Sequence, residues 1–353
     1  MIKYLRLFLL PFSILYGIVV LVRNKLYDAG IFKSTNFSIP VICVGNLVVG
    51  GSGKTPVTEY LVNLLGDKRI AILSRGYGRK TKGYIRANQQ ATAETIGDEP
   101  MQFYRKFPQV TVAVCEDRVK GIRLLEAGHD LIILDDAYQH RSVRPGFSIL
   151  LFEYWKLLSP QFLLPAGNLR EPFKGYKRAD SLLVTKAPEH LDPAKKNQCA
   201  ERFDVESRKS LAFSSLTYGR LTGLFSKVER NIDQIDQATH VYLLTGIANP
   251  EPLVSYLKQR TSHLQHFDHP DHYNFKPADI HQLVHAFTQN AAADKLIITT
   301  EKDAQRLDSE SLRELLLNLP LFYLPVKIAL SGKDKATFDQ KILDYVSGTT
   351  GNR

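Results

Sequence analysis

Cysteine is scarce in this chain. Three residues in 353, Cys43, Cys115 and Cys199, stand far apart and follow no Cys-x-x-Cys spacing. That excludes a disulfide framework and a cysteine-based zinc site, and it fits a reducing cytoplasm. Acidic residues are in deficit: 36 Asp and Glu against 46 Lys and Arg leave a net charge of +10. The excess suits nucleic acid, an anionic membrane or a phosphorylated acidic substrate, and charge alone does not choose among them. There is no internal repeat and no low-complexity tract. Apolar content of 44% supports a real core and argues against wholesale disorder. No uncharged apolar run is long enough to demand a membrane span. The best candidate, LFLLPFSILYGIVVLV at 7–22, has 16 residues; as a helix it covers about 24 Å against a hydrocarbon core of about 30 Å.

What that run does have is basic flanks. Lys3 and Arg6 precede it, and Arg23 and Lys25 follow. Long basic side chains at both ends can snorkel to headgroups. RNKLYDAG, which follows, is a poor cleavage site for a secretory signal. Residues 1–25 therefore read as a membrane-associated helix, the competing reading being a helix buried in the core.

Short β-branched runs then recur at 39–46, 70–75, 110–115, 130–136, 148–153 and 180–186, with helical patterns at 99–106 and 117–128. Such alternation predicts a mostly parallel sheet flanked by helices. Near residue 205 the pattern changes. SLAFSSLTYGRLTGLFSKV at 210–228 reads as a pair of extended segments, and strand-like runs resume at 240–246, 295–303 and 320–328. The expected organisation is a nucleotide-binding domain at 26–208 and a smaller α/β domain at 209–353.

Chemistry starts at VGNLVVGGSGKTPVTEYL, 44–61. A strand, a glycine-rich turn and a helix opening at Lys-Thr make a P-loop, whose backbone N–H groups and helix dipole bind phosphate. Val48 stands where the generic pattern has its first glycine. The loop expected to hold nucleotide is Val48, Val49, Gly50, Gly51, Ser52, Gly53, Lys54 and Thr55, with Lys54 on the β- and γ-phosphates and Thr55 on Mg²⁺. LIILDD supplies the acidic partners, Asp135 and Asp136, at a strand end. Gln139 and His140 follow beside the nucleotide. VTKAP has Thr185 and Lys186 but Pro188 in place of the aspartate that guanine specificity needs, so ATP is the expected nucleotide. Arg75, Arg79, Arg118 and Arg170 fall just after strand runs, where open α/β sheets bind ligands, and suggest a second anionic group. Asp98 of GDEP and His272 of DHPDHYNF are candidates for acid–base work; spacing alone favours a helix cap and a structural histidine.

In combination, GNLVVGGSGKTP, LSRGYGRK, GDEP, LDDAYQH, LLPAGNLREP, LTGIANP, PDHYNF and TTEKDAQR occur in one order. With the apolar N-terminus, this series resembles the tetraacyldisaccharide 4'-kinases of lipid A synthesis from that helix to about residue 306. The family's own loop has the GGxGKT form, which removes the objection of Val48. The resemblance implies a P-loop kinase-like α/β fold with a second, smaller α/β domain joined by a β-ribbon. It implies transfer of the γ-phosphate of ATP to the 4'-hydroxyl of a lipid A disaccharide 1-phosphate, giving lipid IVA, at the cytoplasmic face of the bacterial inner membrane. ATP and Mg²⁺ are the implied cofactors and the inner-membrane lipid surface a partner; no nucleic acid and no obligate protein partner is expected. Carried over motif by motif, Asp98 becomes the base, assisted by His272, and Lys54 acts on the transferring phosphate. Asp135 and Asp136 serve Mg²⁺. Arg75, Glu99, Arg118, Gln139, His140 and Arg170 lie in the substrate region. Ala137, Tyr138 and Asn168 replace the family's usual Gly, Phe and Pro and put the local loop shape in question. A soluble P-loop ATPase or synthetase, the rival reading, has no use for the apolar N-terminus.

Overall fold

The structure, a computed structural model, describes residues 6–350. Lys3, one of the expected basic flanks, lies outside them.

The expected strands form. β1 (Val41–Asn46), β2 (Ile70–Ser74), β3 (Ile85–Arg86), β4 (Thr111–Val114), β5 (Leu131–Asp135), β6 (Phe147–Glu153), β7 (Ser181–Thr185) and β8 (Leu211–Phe213) build one sheet in the order β3-β4-β2-β5-β1-β6-β7-β8. Every pair is parallel except β3 with β4. Buried on both faces, β1, β2, β5, β6 and β7 need continuous apolar runs, which is what their sequences supply. β1 lies between β5 and β6, so the chain reverses its direction of strand addition there. The carboxyl ends of these strands border the position where open sheets of this kind usually bind ligands in a crevice.

β9 (Ser215–Tyr218) leaves this sheet and pairs antiparallel with β16 (Val326–Ala329) as a two-stranded ribbon. Between them, β10 (Leu221–Gly223), β11 (Glu229–Arg230), β12 (His240–Thr245), β13 (His263–Asp268), β14 (Lys295–Thr300) and β15 (Leu321–Leu324) form a second sheet, β11-β10-β15-β14-β12-β13. The apolar run at 320–328 is thus two strands, broken at Pro325 and divided between ribbon and sheet. β13, HLQHFD, was not foreseen because it is an edge strand without a continuous apolar run.

Packing does not divide at 208/209. β8 belongs to the first sheet, and the last helix, Gly332–Thr350, returns to it. Its Phe338, Ile342 and Val346 pack with Ile42, Val44 and Val57, and the Tyr345 hydroxyl accepts from the Val41 N–H at 2.9 Å. Local pattern identifies a strand or helix but not the sheet it joins. The second unit therefore spans β10 to β15, and the chain enters and leaves it through the ribbon.

The N-terminal helix, Leu10–Asp28, continues a short 3₁₀ turn at Arg6–Leu9 and buries only Ser13. Phe8, Phe12, Ile14, Leu15, Ile18, Val19 and Val22 point outward. The polar face is turned inward instead. Ser13 Oγ donates to Leu163 O at 3.0 Å, Tyr16 donates to Arg170 O at 2.7 Å, and Arg23 donates to Gln139 O at 2.8 Å. The expected alternative, a helix buried in the core, does not hold.

Candidate active site

The glycine-rich turn runs from the end of β1 into the helix Lys54–Leu64. Gly53 precedes that helix at φ 85°, a left-handed conformation that residues with a Cβ rarely adopt. Three side chains brace the turn. Asn46 Nδ2 donates to Ser52 Oγ at 2.7 Å, Thr185 Oγ1 to Ser52 O at 2.7 Å, and Lys186 Nζ to Gly51 O at 2.6 Å. Thr185 and Lys186, which fail as a guanine motif, thus support the loop. Val48 and Val49 bind the neighbouring segment 163–170: Val48 bridges to Leu169, and Val49 N–H donates to Asn168 O at 2.8 Å. Asn168 contributes its carbonyl here.

The two strand-end aspartates differ. Asp136 has φ 50° and lies 3.6 Å from Lys54 Nζ; Arg170 NH2 donates to its Oδ1 at 2.8 Å. Burial works against ionisation of Asp136, yet Lys54 and Arg170 together hold its carboxyl below the ordinary range. Asp135 is buried, and its Oδ1 has no hydrogen-bond partner among the described residues. Burial first, then the charge of Glu99, push its pKa up to about 8.

Gln139 Nε2 donates to Asn46 O at 2.8 Å and to Glu171 Oε1 at 2.9 Å, so its amide is spent on holding the loop. Tyr138 fills the space beside Gly45, donates to Gly175 O at 2.7 Å and lies under Arg178. A larger phenol is thereby accommodated in the usual phenylalanine position. Arg118 is buried, donates to Cys115 O and Glu116 O, and its Nε has no partner among the described residues. Exposed Arg75 stands close enough to repel charge on both Arg118 and His140. Burial, then Arg118, lower the His140 pKa to about 4. Arg79 NH2 donates to Glu116 and Gly83 O, while its buried NH1 has no hydrogen-bond partner among the described residues.

Asp98 and His272 come together although 174 positions separate them: Nδ1 lies 3.2 Å from Asp98 Oδ2. Asp98 opens the helix Asp98–Lys106 after Gly97, whose φ is 96° and where a Cβ would strike Tyr77 O at 2.9 Å. His272 follows β13 in the second unit with φ 58°. On its far side, Nε2 faces Lys302 Nζ at 3.1 Å. Ammonium can only donate, so Nε2 accepts and the proton sits on Nδ1, directed at Asp98. Lys302 also reaches Glu99 Oε1 at 3.4 Å, and Arg306 NH1 stands 3.4 Å from Asp98 Oδ2. Among the described residues, the non-glycine residues at positive φ are Asp136, Lys186 and His272. All three lie in this site, where strained backbone concentrates when a side chain must be aimed.

The structure therefore joins Lys54, Asp136 and Arg170 in one cluster and Asp98, Glu99 and His272 in a second. It engages Gln139 Nε2 with Asn46 and Glu171, and Arg79 NH2 with Gly83 and Glu116. Sequence reasoning gave no role to Lys302, Asp303, Arg306, Glu171 or Asn46. All five lie inside quoted motifs whose order was noted, and Asp303 and Arg306 look like ordinary charges of a surface helix.

A family model described as tetraacyldisaccharide-1-P 4'-kinase matches residues 5–347. A tetraacyldisaccharide 4'-kinase of Bacteroides thetaiotaomicron is 43% identical over 98% of this chain and 94% of its own length. One from Flavobacterium johnsoniae is 43% identical over 97% of each. Among solved structures, the LpxK protein of Aquifex aeolicus in complex with ATP is similar, with TM-score 0.74 and 33% identity over 96% of this chain and 99% of that one.

Proposed function

This chain belongs to the tetraacyldisaccharide-1-P 4'-kinase family, and on that premise we propose that it transfers the γ-phosphate of ATP to the 4'-hydroxyl of tetraacyldisaccharide 1-phosphate. The observation that carries the reading is the Asp98–His272 pair at the crevice of a P-loop sheet.

Lys54 and the loop N–H groups bind the phosphates and offset charge on the equatorial oxygens. Thr55 and Asp135 fit Mg²⁺: both offer oxygen, and Asp135 has a buried carboxylate oxygen in need of a partner. When bound, the ion would neutralise charge on the β- and γ-phosphates. Asp136, expected as a second ligand, is taken up by Lys54 and Arg170 and acts through them. Asp98 accepts the proton of the 4'-hydroxyl as its oxygen attacks phosphorus and the bond to the β-phosphate breaks. His272, protonated on Nδ1, holds one carboxylate oxygen, and Lys302 fixes the tautomer. Arg75, Arg118 and His140 line the approach for an anionic acceptor. The outward apolar face of the N-terminal helix seats the protein on the cytoplasmic surface of the inner membrane, where that acceptor lies.

The test is an assay with ATP and the disaccharide 1-phosphate in mixed micelles. Asp98→Ala and His272→Ala should each lower turnover by about 10²-fold or more, with the KM for ATP little changed. Residues acting as a unit lose rate non-additively, so the double variant should match the poorer single one. Clean multiplication of the two losses would leave His272 a structural role only.

A further inference from the structure

We propose that Arg306 is a positioning residue for Asp98: it clamps one carboxylate oxygen so that the other is presented to the acceptor hydroxyl. The inference rests on the reading of Asp98 as the base.

Arg306 lies on the helix Glu301–Leu307 of the second unit, with its side chain only 4% exposed. Its guanidinium is fixed from behind. NH2 donates to Gly246 O at 3.0 Å and pairs with Asp303. Asp303 is itself buried and accepts from Gly246 N–H at 3.1 Å and Thr300 Oγ1 at 2.6 Å. Phe275 lies beneath the guanidinium. Two nitrogens are left over, Nε and NH1. NH1 is buried and makes no hydrogen bond within the described residues, and it stands 3.4 Å from Asp98 Oδ2.

That arrangement is expensive as packing. A buried guanidinium with an unsatisfied nitrogen destabilises a fold, and a well-packed apolar side chain of similar volume is often at least as good. Its geometry makes sense toward Asp98. His272 Nδ1 and Arg306 NH1 both address Oδ2. No described residue bonds Oδ1. A hydrogen bond from His272 and an ion-pair contact from Arg306, both in the second unit, therefore address one oxygen of a carboxylate that belongs to the first, and its rotation is set by their positions. A planar guanidinium anchored at NH2 can aim NH1; a lysine ammonium cannot do both.

The test uses the full-length protein in mixed micelles. Arg306→Lys retains a cation that can satisfy Asp303, and should fold while losing aim. Turnover should fall about 10²-fold, the scale of an ångström misplacement at a reacting centre, with the KM for ATP unchanged. In an Asp98→Ala background the same substitution should cause no further loss, because its route to the reaction is gone. Should Arg306→Lys fail to unfold cooperatively on heating, Asp303→Asn, nearly isosteric, releases the guanidinium instead and should show the same pattern. Wild-type turnover in the folded variant, or equal fold-losses with and without Asp98, would overturn the proposal. If Asp98→Ala alone keeps wild-type turnover, it is the base assignment that fails; if it is inactive while the Arg306 variant is not, only the present inference does.

Discussion

Lys54 meets Asp136 and shares it with Arg170. Replacing Lys54 with Ala removes the cation proposed to meet the transferring phosphate and should cost at least about 10²-fold in turnover, the scale of one lost electrostatic stabiliser. Steady-state assay at saturating ATP checks this, and near-normal turnover would remove the P-loop from the mechanism. Residues of this kind were legible because their chemistry is local: strand, turn and helix are contiguous in sequence. Asp98 and His272 were legible only as members of a motif series, since nothing in their own spacing brings one to the other. Arg306 and Lys302 were not legible as site residues. On a charged helix, periodicity cannot tell a cation aimed at a partner domain from one in water.

β1, β2, β4, β5, β6 and β7 were readable because burial on both faces demands uninterrupted apolar runs, and the two-residue edge strand β3 was not. β13 escaped the same reading as a partly exposed edge, and 320–328 read as one strand because only Pro325 separates two elements of different sheets. The N-terminal helix was legible in extent but not in orientation. Its inward polar face bonds the segment that carries Arg170, while its apolar residues face out. The pair Leu15→Glu and Ile18→Glu should therefore leave the thermal unfolding of the protein unchanged and weaken binding to anionic vesicles by at least about tenfold, given the cost of charge in the apolar layer. Vesicle sedimentation measures it. Unchanged sedimentation would move the membrane contact to another surface, and loss of folding would make that face part of the core.

At the scale of the whole molecule, one lysine spans the two units. Lys106 Nζ lies 2.7 Å from Glu59, on the P-loop helix, and 2.8 Å from Glu301, on the helix that carries Lys302 and Arg306. Burial, then the charge of Glu301, raise the Glu59 pKa. Burial also raises that of Glu301. A carboxyl raised on folding contributes stability that is full below its unfolded pKa and is lost as pH climbs through the folded one. Lys106→Met leaves two buried carboxyls facing each other with no cation between them, Lys327 still acting on Glu301 from further off. It should cost about 3 kcal/mol near pH 8 and distinctly less near pH 5.5, where the pair can take up protons. Denaturant titrations at the two pH values read the difference, and an equal deficit at both would show that the lysine works by packing.

On the proposed seating at a membrane, the outward apolar helix carries a consequence for kinetics. A protein held at an interface meets its acceptor by diffusion in a plane, so the concentration that governs its rate is molecules per unit area rather than per unit volume. Inert lipid added at constant bulk substrate then acts as a diluent, spreading the acceptor thinner and slowing the reaction without binding the enzyme's active site at all. Saturation with ATP remains an ordinary matter of molarity, and the two substrates of one reaction answer to different geometries of space.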